Sequence, residues 1–263
     1  MVINKLFYFN VFKNLLKIDL KLFGEIFWDK VIDLFIWVTC TILIMGYVMP
    51  LLGLASDYGV FQLAGLVASA GLFEVFPSVM NLVSDFEGDR LISYELILPA
   101  PSLLIFIKII TNYALSAIIL GLCVVPMGKL ILWNQFDLTQ INIIQFALML
   151  IMSGIFYGVF TLWISSLCKS VSRVGNVWMR FIFPLWFLGG FQFSWNVLYK
   201  LAPKLANINL LNPMTYIMEG MRAALLGQTG YISVWFCIAA LSVFIMIFSC
   251  IAIKRLKKRL DFV

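Results

Sequence analysis

The sequence contains no histidine. This absence removes the His-Glu-x-x-His zinc site and the Ser/His/Asp and Cys/His nucleophile arrangements, so most hydrolytic chemistry is excluded. Paired carboxylates within the apolar stretches are also lacking, and we find no catalytic constellation for an intramembrane enzyme. We predict neither a catalytic residue nor a metal site.

Charged residues are scarce as well. They make up 12% of the 263 residues, whereas 63% are hydrophobic. No soluble globular domain of this length has such a composition, so the chain is predicted to be a polytopic membrane protein. The net charge of +6 does not indicate a nucleic-acid partner, because Lys and Arg cluster at the ends of apolar stretches, where they set orientation and contact anionic membrane lipid.

Cysteine is limited to five residues, none in a Cys-x-x-Cys spacing. All of them lie inside or at the ends of apolar stretches, so they are interpreted as small hydrophobic residues and not as disulfides or metal ligands. They are Cys40, Cys123, Cys168, Cys237 and Cys250.

Apolar stretches dominate what remains. A helix needs roughly 20 predominantly apolar residues to cross the hydrocarbon core, and six stretches meet this requirement. The predicted fold is therefore an all-α integral membrane protein with six transmembrane helices in residues 31–263. The predicted spans are Val31–Leu54, Val60–Val83, Leu103–Leu132, Ile141–Leu167, Val174–Leu198 and Tyr231–Ile253.

The positions of Lys and Arg predict the orientation. With six spans, the N-terminal segment, the loop with Lys169 and Arg173, and the basic tail 254–263 lie on one side, whereas the other side has few basic residues. Since the positive side is cytoplasmic, both termini are predicted to be cytoplasmic. The predicted location is the bacterial plasma (inner) membrane.

Residues 1–30 are predicted to form an amphipathic helix along the membrane surface and not a seventh span. One face carries Asn10, Lys13, Asn14, Lys17, Lys21 and Glu25, and another carries Phe9, Phe12, Leu16, Leu20, Phe23 and Phe27. A solvated amphipathic helix is the alternative, but the wide apolar face and the cations suit acidic headgroups.

The longest external segment is 199–230, between the last two spans. Asn212-Pro213 is a helix-start pattern, and residues 214–226 then continue without a breaker until Gly227. A helix that dips back toward the bilayer, partly re-entrant, and a helix on the surface are both compatible with this pattern.

The chain has no phosphate-binding loop. The Gly-Lys pair at Gly128-Lys129 is followed by Leu130, and Cys123 stands where the first glycine belongs. The chain itself is therefore predicted to bind no cofactor, and active transport needs either a partner ATPase or an ion gradient.

An ion gradient would need ionisable residues deep in the spans. Glu74, in the middle of the second span, is the main candidate, and Arg180 in the fifth lies toward the same leaflet. Glu74 is either a pathway carboxylate or the structural ion-pair partner of Arg180, and we favour the pair because a lone carboxylate makes a poor relay. An ion-coupled carrier or channel using Glu74 and Arg180 is the alternative hypothesis for function.

The fifth span is rich in aromatic residues. They form either a stacking surface for a transported molecule or lipid-facing bulk with an interfacial belt. Pro184 and Gly189-Gly190 are predicted to kink this span. The candidate pathway residues, together with Glu74, are Trp178, Phe181, Trp186, Phe187 and Trp195.

The densest run of mixed charge lies between the second and third spans, at 85–101, and must face water on the cytoplasmic side. It is acidic and amphipathic, with Arg90 available for a bidentate contact. A protein partner at this segment and a merely solvated loop are the two interpretations.

Two motifs resemble the membrane subunits of ABC exporters of the type 2 family. Tyr94–Pro101, YELILPAP, is similar to the family's Glu-x-Leu-x-x-Pro-x-Pro pattern, and 212–227, NPMTYIMEGMRAALLG, is similar to its Asn-Pro-x-x-Tyr…Arg…Leu-Gly pattern. The order of elements matches along essentially the whole chain. Ile92-Ser93-Tyr94 departs from the Gly-Thr pair that often precedes the first motif.

This resemblance implies a non-enzymatic permease. Two separate ABC ATPase subunits would carry ATP and Mg²⁺, and a second copy or a homologous permease would complete the transporter. An amphipathic substrate, such as a lipid-linked glycan, a lipid or a drug, would move outward. The implied coupling residues are Asp85, Glu87, Asp89, Arg90, Tyr94 and Glu95, within a coupling helix at 85–98. The implied external gate consists of Asn212, Pro213, Tyr216, Glu219 and Arg222.

Overall fold

The computed structural model describes residues 5–88, 90–98 and 100–260. Helices account for 86% of the chain, and the described residues contain no strand, which confirms the all-α prediction. In chain order the helices are α1 Lys5–Glu25, α2 Phe27–Leu51, α3 Tyr58–Glu87, α4 Leu91–Ile97, α5 Ser102–Leu132, α6 Ile143–Leu167, α7 Val171–Phe191, α8 Trp195–Leu201, α9 Pro203–Asn209, α10 Pro213–Leu226 and α11 Val234–Leu260.

Five of these helices, α2, α3, α5, α6 and α11, are long and apolar enough to cross a membrane. A sixth span is obtained if α7 and α8 are counted together, although they meet at an angle of 85°. The helix α1 does not qualify as a span and packs along α5 instead. This agrees with the prediction that the N-terminal helix does not cross the membrane.

Helix α3 lies at the centre of the bundle, in contact with α2, α5, α6 and α10. Gly71 permits its close approach to α6, because a Cβ at this position would come within 2.3 Å of the Tyr157 ring. The Tyr157 hydroxyl then donates to the Ala68 carbonyl at 2.6 Å. A small residue thus lets two buried helices pack closely and pair a polar group.

Helix α7 is irregular throughout its second half. Segments 178–182 and 187–191 have π-helical hydrogen bonding on either side of Pro184, and Gly190 has φ of 92°. This positive φ ends the helix, since residues other than glycine rarely adopt it. The predicted kink at Gly189-Gly190 is therefore found. It is a complete break of the helix, after which α8 runs at an angle of 85° to α7.

Two predicted boundaries are wrong, and one predicted span is divided. The first span begins at Phe27 and not at Val31, so Lys30 belongs to it. The second span extends to Glu87, so the charged segment is divided between the last turn of α3 and the separate helix α4. The fifth span is not one continuous helix: the positive φ of Gly190 ends α7 at Phe191, and α8 continues at an angle of 85° although the sequence remains apolar.

Candidate functional site

The charged segment is built around the turn between α3 and α4. Asp85, in the last turn of α3, accepts hydrogen bonds from the backbone N–H groups of Leu91 and Ile92 at 2.7 and 3.1 Å, which satisfies the first turn of α4. Arg90 precedes α4 with φ of 53° and is exposed. Asp89, predicted to be a coupling residue, lies outside the described residues.

The inner face of α4 is held by an ionic network. The Glu95 side chain is 9% exposed and accepts a hydrogen bond from Lys108 Nζ of α5 at 2.8 Å. Lys108 also pairs with Asp19 of α1 at 3.0 Å. The expectation that Glu95 is offered to a partner is therefore corrected: its carboxylate faces inward and fastens α4 to α5 and α1.

The outer face of α4 is apolar. Leu91, Tyr94 and Ile97 are 57%, 69% and 81% exposed, and their i, i+3, i+6 spacing places them on one side of the helix. Glu87 is also exposed, and it accepts a hydrogen bond from the Val171 N–H at 3.1 Å, which connects α3 with α7. The acidic surface expected from the sequence is thus replaced on α4 by an apolar strip beside Arg90.

The predicted external gate lies in and before α10, which is buried among α3, α6, α7 and α11. Asn212 caps α10 by accepting from the Met214 N–H at 3.0 Å, and its amide donates to the Leu185 carbonyl at 2.7 Å. Pro213 occupies the first helical turn, and the Tyr216 hydroxyl donates to the Leu210 carbonyl at 2.7 Å. Helix α10 is packed inside the bundle and does not lie on its surface, whereas the re-entrant course stays a prediction.

Arg222 of α10 is completely buried and binds the break in α7. Its guanidinium donates to the carbonyls of Phe191 and Phe193 at 3.0 and 3.1 Å. It also lies 3.7 Å from the ring centroid of Phe61 in α3, a cation–π contact. One side chain thereby satisfies carbonyls that the broken helix leaves without helical partners.

Glu219, one turn before Arg222, binds the other side of the same region. Its carboxylate accepts from the Trp195 N–H at 2.9 Å and the Ile232 N–H at 3.2 Å, and lies 3.6 Å from Arg222. The pair joins the ends of α7, α8 and α11 through α10. These contacts make Glu219 and Arg222 positioning residues for the external region.

The aromatic residues of α7 pack against α3 and α2. Trp186 is buried and donates to the Ser69 hydroxyl at 2.8 Å, and its ring lies 5.6 Å from that of Phe73. Trp178 contacts the same region of α3, whereas Phe181 and Phe187 are exposed. These four candidate pathway residues therefore belong to one helix.

Trp195 does not belong to this aromatic surface. It begins α8, beyond the 85° bend, and its indole N–H donates to the Ala206 carbonyl at 2.9 Å. Trp195 therefore lies in the part of the predicted fifth span beyond the bend, away from the aromatic surface of α7.

The pairing of Glu74 with Arg180 is also wrong. Glu74 forms its ion pair with Lys30 of α2, and Arg180 is exposed. The error follows from the first boundary, because Lys30 was attributed to the surface helix. The ion-coupled alternative loses its proposed residue pair.

The model of the ABC-2 type transporter family matches residues 22–226. The chain belongs to the ABC-2 type transporter family. A comparison with curated proteins gives no match. The chain is accordingly a multi-pass membrane protein and a permease of an ABC transporter, and such permeases typically work with ABC ATPase partners.

The family match contains both the α4 region and α10, and it also contains residues that the sequence-based site omitted. Leu91 and Ile97 were not selected, although their spacing with Tyr94 would have indicated an apolar helix face. Lys108, inside the third predicted span, is also absent from the selected residues. A basic residue inside a span, with carboxylates nearby in sequence, was the available indication of a buried network in this ABC-2 permease.

Proposed function

We propose that this ABC-2 permease exports an amphipathic substrate, a lipid-linked glycan, a lipid or a drug, from the cytoplasm outward. Two ABC ATPase subunits bind ATP and Mg²⁺ and dock on α4. A second copy, or a homologous permease, completes the transporter. Both termini lie in the cytoplasm, and the membrane is the bacterial inner membrane.

The apolar strip of Leu91, Tyr94 and Ile97 carries this proposal. A short helix that exposes three large apolar side chains to water is unfavourable unless a partner covers them. Tyrosine at the centre of such a patch is a common anchor of protein interfaces. Arg90 at its edge suits a carboxylate of the partner.

The attachments of α4 support its role in transmitting motion. Asp85 caps it from α3, and Glu95 joins it to Lys108 of α5 and, through Lys108, to Asp19 of α1. A force applied by an ATPase to the outer face of α4 therefore acts on three helices at once. A loop attached only at its two ends would transmit less of this force to the bundle.

The exposed rings of α7 support an amphipathic substrate. Phe181 and Phe187 present aromatic faces on a helix whose other side is fixed to α3 by Trp178 and Trp186. Such a surface can contact sugar rings or acyl chains without charged groups. Two permease subunits would supply two of these surfaces to one pathway.

Purification from native membranes tests the docking proposal. The tagged chain is extracted gently, and the co-purified ABC ATPase is quantified by mass spectrometry. We expect Tyr94→Ala to reduce ATPase recovery by at least about tenfold, since a central aromatic anchor contributes about 2 kcal/mol or more to an interface.

Tyr199→Ala is the matched control, because Tyr199 is also exposed but lies on α8. We expect it to retain the ATPase as the unaltered chain does. Equal recovery with Tyr94→Ala and Tyr199→Ala would contradict docking on α4. Absence of any ABC ATPase from the unaltered preparation would contradict the proposed function.

A further inference from the structure

A cavity of about 380 Å³ lies between α1, α3, α4 and α5, behind the apolar strip. Its polar lining includes Asp19, Asp85, Glu95, Lys108 and Asn112. The volume lies in the range of small-ligand sites. The cavity shares Leu91 with the apolar strip, but Tyr94 and Ile97, where the ATPase is proposed to dock, do not line it.

The charges in this cavity do not balance. Three carboxylates, those of Asp19, Asp85 and Glu95, line it together with a single ammonium, that of Lys108. Lys108 is already shared between Asp19 and Glu95, and Asp85 is occupied by the first N–H groups of α4. The described lining therefore carries excess negative charge.

Two buried acceptors in the cavity have no hydrogen-bond partner among the described residues. They are Glu95 Oε2 and Asn112 Oδ1. The Glu95 side chain is only 9% exposed, and Asn112 follows Lys108 by one turn on the same face of α5. Leaving such atoms without donors is costly, and because both residues line the cavity, a ligand there that donates hydrogen bonds would offset this cost.

The lining of the cavity defines the chemistry of a ligand that would suit it. It must carry positive charge and several N–H donors, and a primary ammonium supplies three donors on one compact cation. Divalent cations are less suitable, since the three carboxylates of the lining are not grouped closely enough to hold a metal ion together, and no such group occurs among the described residues. A trimethylated ammonium has the charge but lacks the donors.

The surroundings favour a lipid as the source of this ammonium. One wall of the cavity is α1, the amphipathic helix, whose Leu22 is exposed at the cavity edge. Leu82, Leu91 and Ile109 add apolar surface beside the polar groups. A phospholipid combines a polar headgroup with an apolar body, whereas a small free amine has no apolar part that could pack against the apolar lining.

We propose that this cavity binds the primary ammonium headgroup of a phospholipid, of the phosphatidylethanolamine class, between α1 and α4. The ammonium donates to Glu95 Oε2 and Asn112 Oδ1 and offsets the carboxylates of the network. The lipid thus fixes the membrane-surface helix relative to the helix proposed to meet the ATPase. The assignment to the cytoplasmic leaflet rests on the proposed function, but binding itself does not.

Native mass spectrometry of the full-length, delipidated chain tests this proposal. The chain is titrated with phosphatidylethanolamine and with phosphatidylcholine of identical acyl chains, and separately with ethanolamine. We expect phosphatidylethanolamine to bind about tenfold more tightly than phosphatidylcholine, because only the former donates hydrogen bonds from its ammonium. Asn112→Leu should reduce this preference by several-fold.

Thr111→Val is the matched control, since Thr111 neighbours Asn112 on α5 but does not line the cavity. It should keep the preference. Equal binding of the two phospholipids by the unaltered chain would overturn the proposal even if Asn112→Leu failed to fold. Ethanolamine binding as tightly as the phospholipid would overturn the lipid as the source of the ammonium.

ATPase recovery with the same preparations separates this proposal from the preceding one. Loss of lipid preference with full ATPase recovery would count against the lipid site alone. Retained lipid preference without any ATPase would count against docking alone.

Discussion

Ionised side chains inside the described bundle lie against opposite charges. Glu95 and Lys108 are buried at one end, and Glu219 and Arg222 at the other. A buried ion pair contributes little net stability, but removing one partner leaves an uncompensated charge and is strongly destabilising. Single substitutions in either of the two buried pairs should therefore lower the free energy of unfolding strongly.

Arg222→Met should be among the most destabilising substitutions in the chain. It removes the donors to Phe191 and Phe193 and leaves the Glu219 carboxylate buried without its cation, so we expect a loss of about 3–5 kcal/mol. Arg222→Lys should recover less than half of this loss, since lysine lacks the planar set of donors. The midpoint of unfolding of the detergent-solubilised chain measures both effects.

Arg173→Met is the control for this experiment, because Arg173 is exposed near the start of α7. Its free energy of unfolding should match that of the unaltered chain within about 0.5 kcal/mol. An Arg222→Met free energy of unfolding equally close to the unaltered value would show that the contacts around α10 do not stabilise the fold.

The helical elements differ in how well the sequence predicted them. The span Leu103–Leu132 was found as Ser102–Leu132, because Pro99 and Pro101 precede the apolar stretch and the polar pair Asn134-Gln135 follows it. The span ending at Val83 continues as helix to Glu87, since charged residues terminate a hydrophobic stretch but not a helix. Hydropathy thus located the helices more reliably than their ends.

The site was less predictable than the fold. The family motifs directed attention to residues 94–101 and 212–227, but the orientation of the side chains depended on contacts with distant helices. Glu95 faces inward only because Lys108 of α5 lies there. The exit of α8 from the line of α7 depends on one backbone angle at Gly190, about which apolar composition carries no information.

Gly190→Ala should destabilise the external region. Gly190 has φ of 92°, and an L-residue in this conformation costs about 1–2 kcal/mol. The substitution should lower the unfolding midpoint accordingly and loosen the contacts of Arg222 with Phe191. Faster hydrogen exchange of residues 191–201 would report that loosening directly.

Gly175→Ala provides the comparison within the same helix. Gly175 is helical, and an added Cβ would meet no atom within 4 Å. Because alanine favours a helix over glycine by up to about 1 kcal/mol, the substitution should be neutral or stabilising. Equal destabilisation by both substitutions would mean that the positive φ of Gly190 is not the cause of the loss of stability.

At the scale of the whole molecule, basic residues collect where helix ends meet. Arg259, in the last turn of α11, donates to the Cys168 carbonyl at 2.8 Å and lies 4.7 Å from the ring centroid of Phe86. It therefore ties α11 to the ends of α6 and α3, in addition to any effect on orientation. These ends lie on the same side as α4, which is the proposed cytoplasmic side.

Cysteine labelling in intact cells tests the proposed orientation. Thr139→Cys lies between α5 and α6, and Arg173→Cys lies near the start of α7; both positions are exposed. In a background with Cys40 and Cys250 replaced by alanine, a membrane-impermeant maleimide should label the first in intact cells. The second should be labelled only after permeabilisation, and the reverse pattern would contradict cytoplasmic termini.

The apolar strip of α4 also bears on how the transporter is made. If an ATPase docks on α4 as proposed, a copy of this chain that folds ahead of it leaves the side chains of Leu91, Tyr94 and Ile97 uncovered. Exposed apolar strips of this kind promote aggregation and attract chaperones and proteases. Under the proposed docking, the amount of permease that survives in the cell should therefore follow the supply of its partner, and the exposed side chains of this seven-residue helix make balanced synthesis of the subunits necessary.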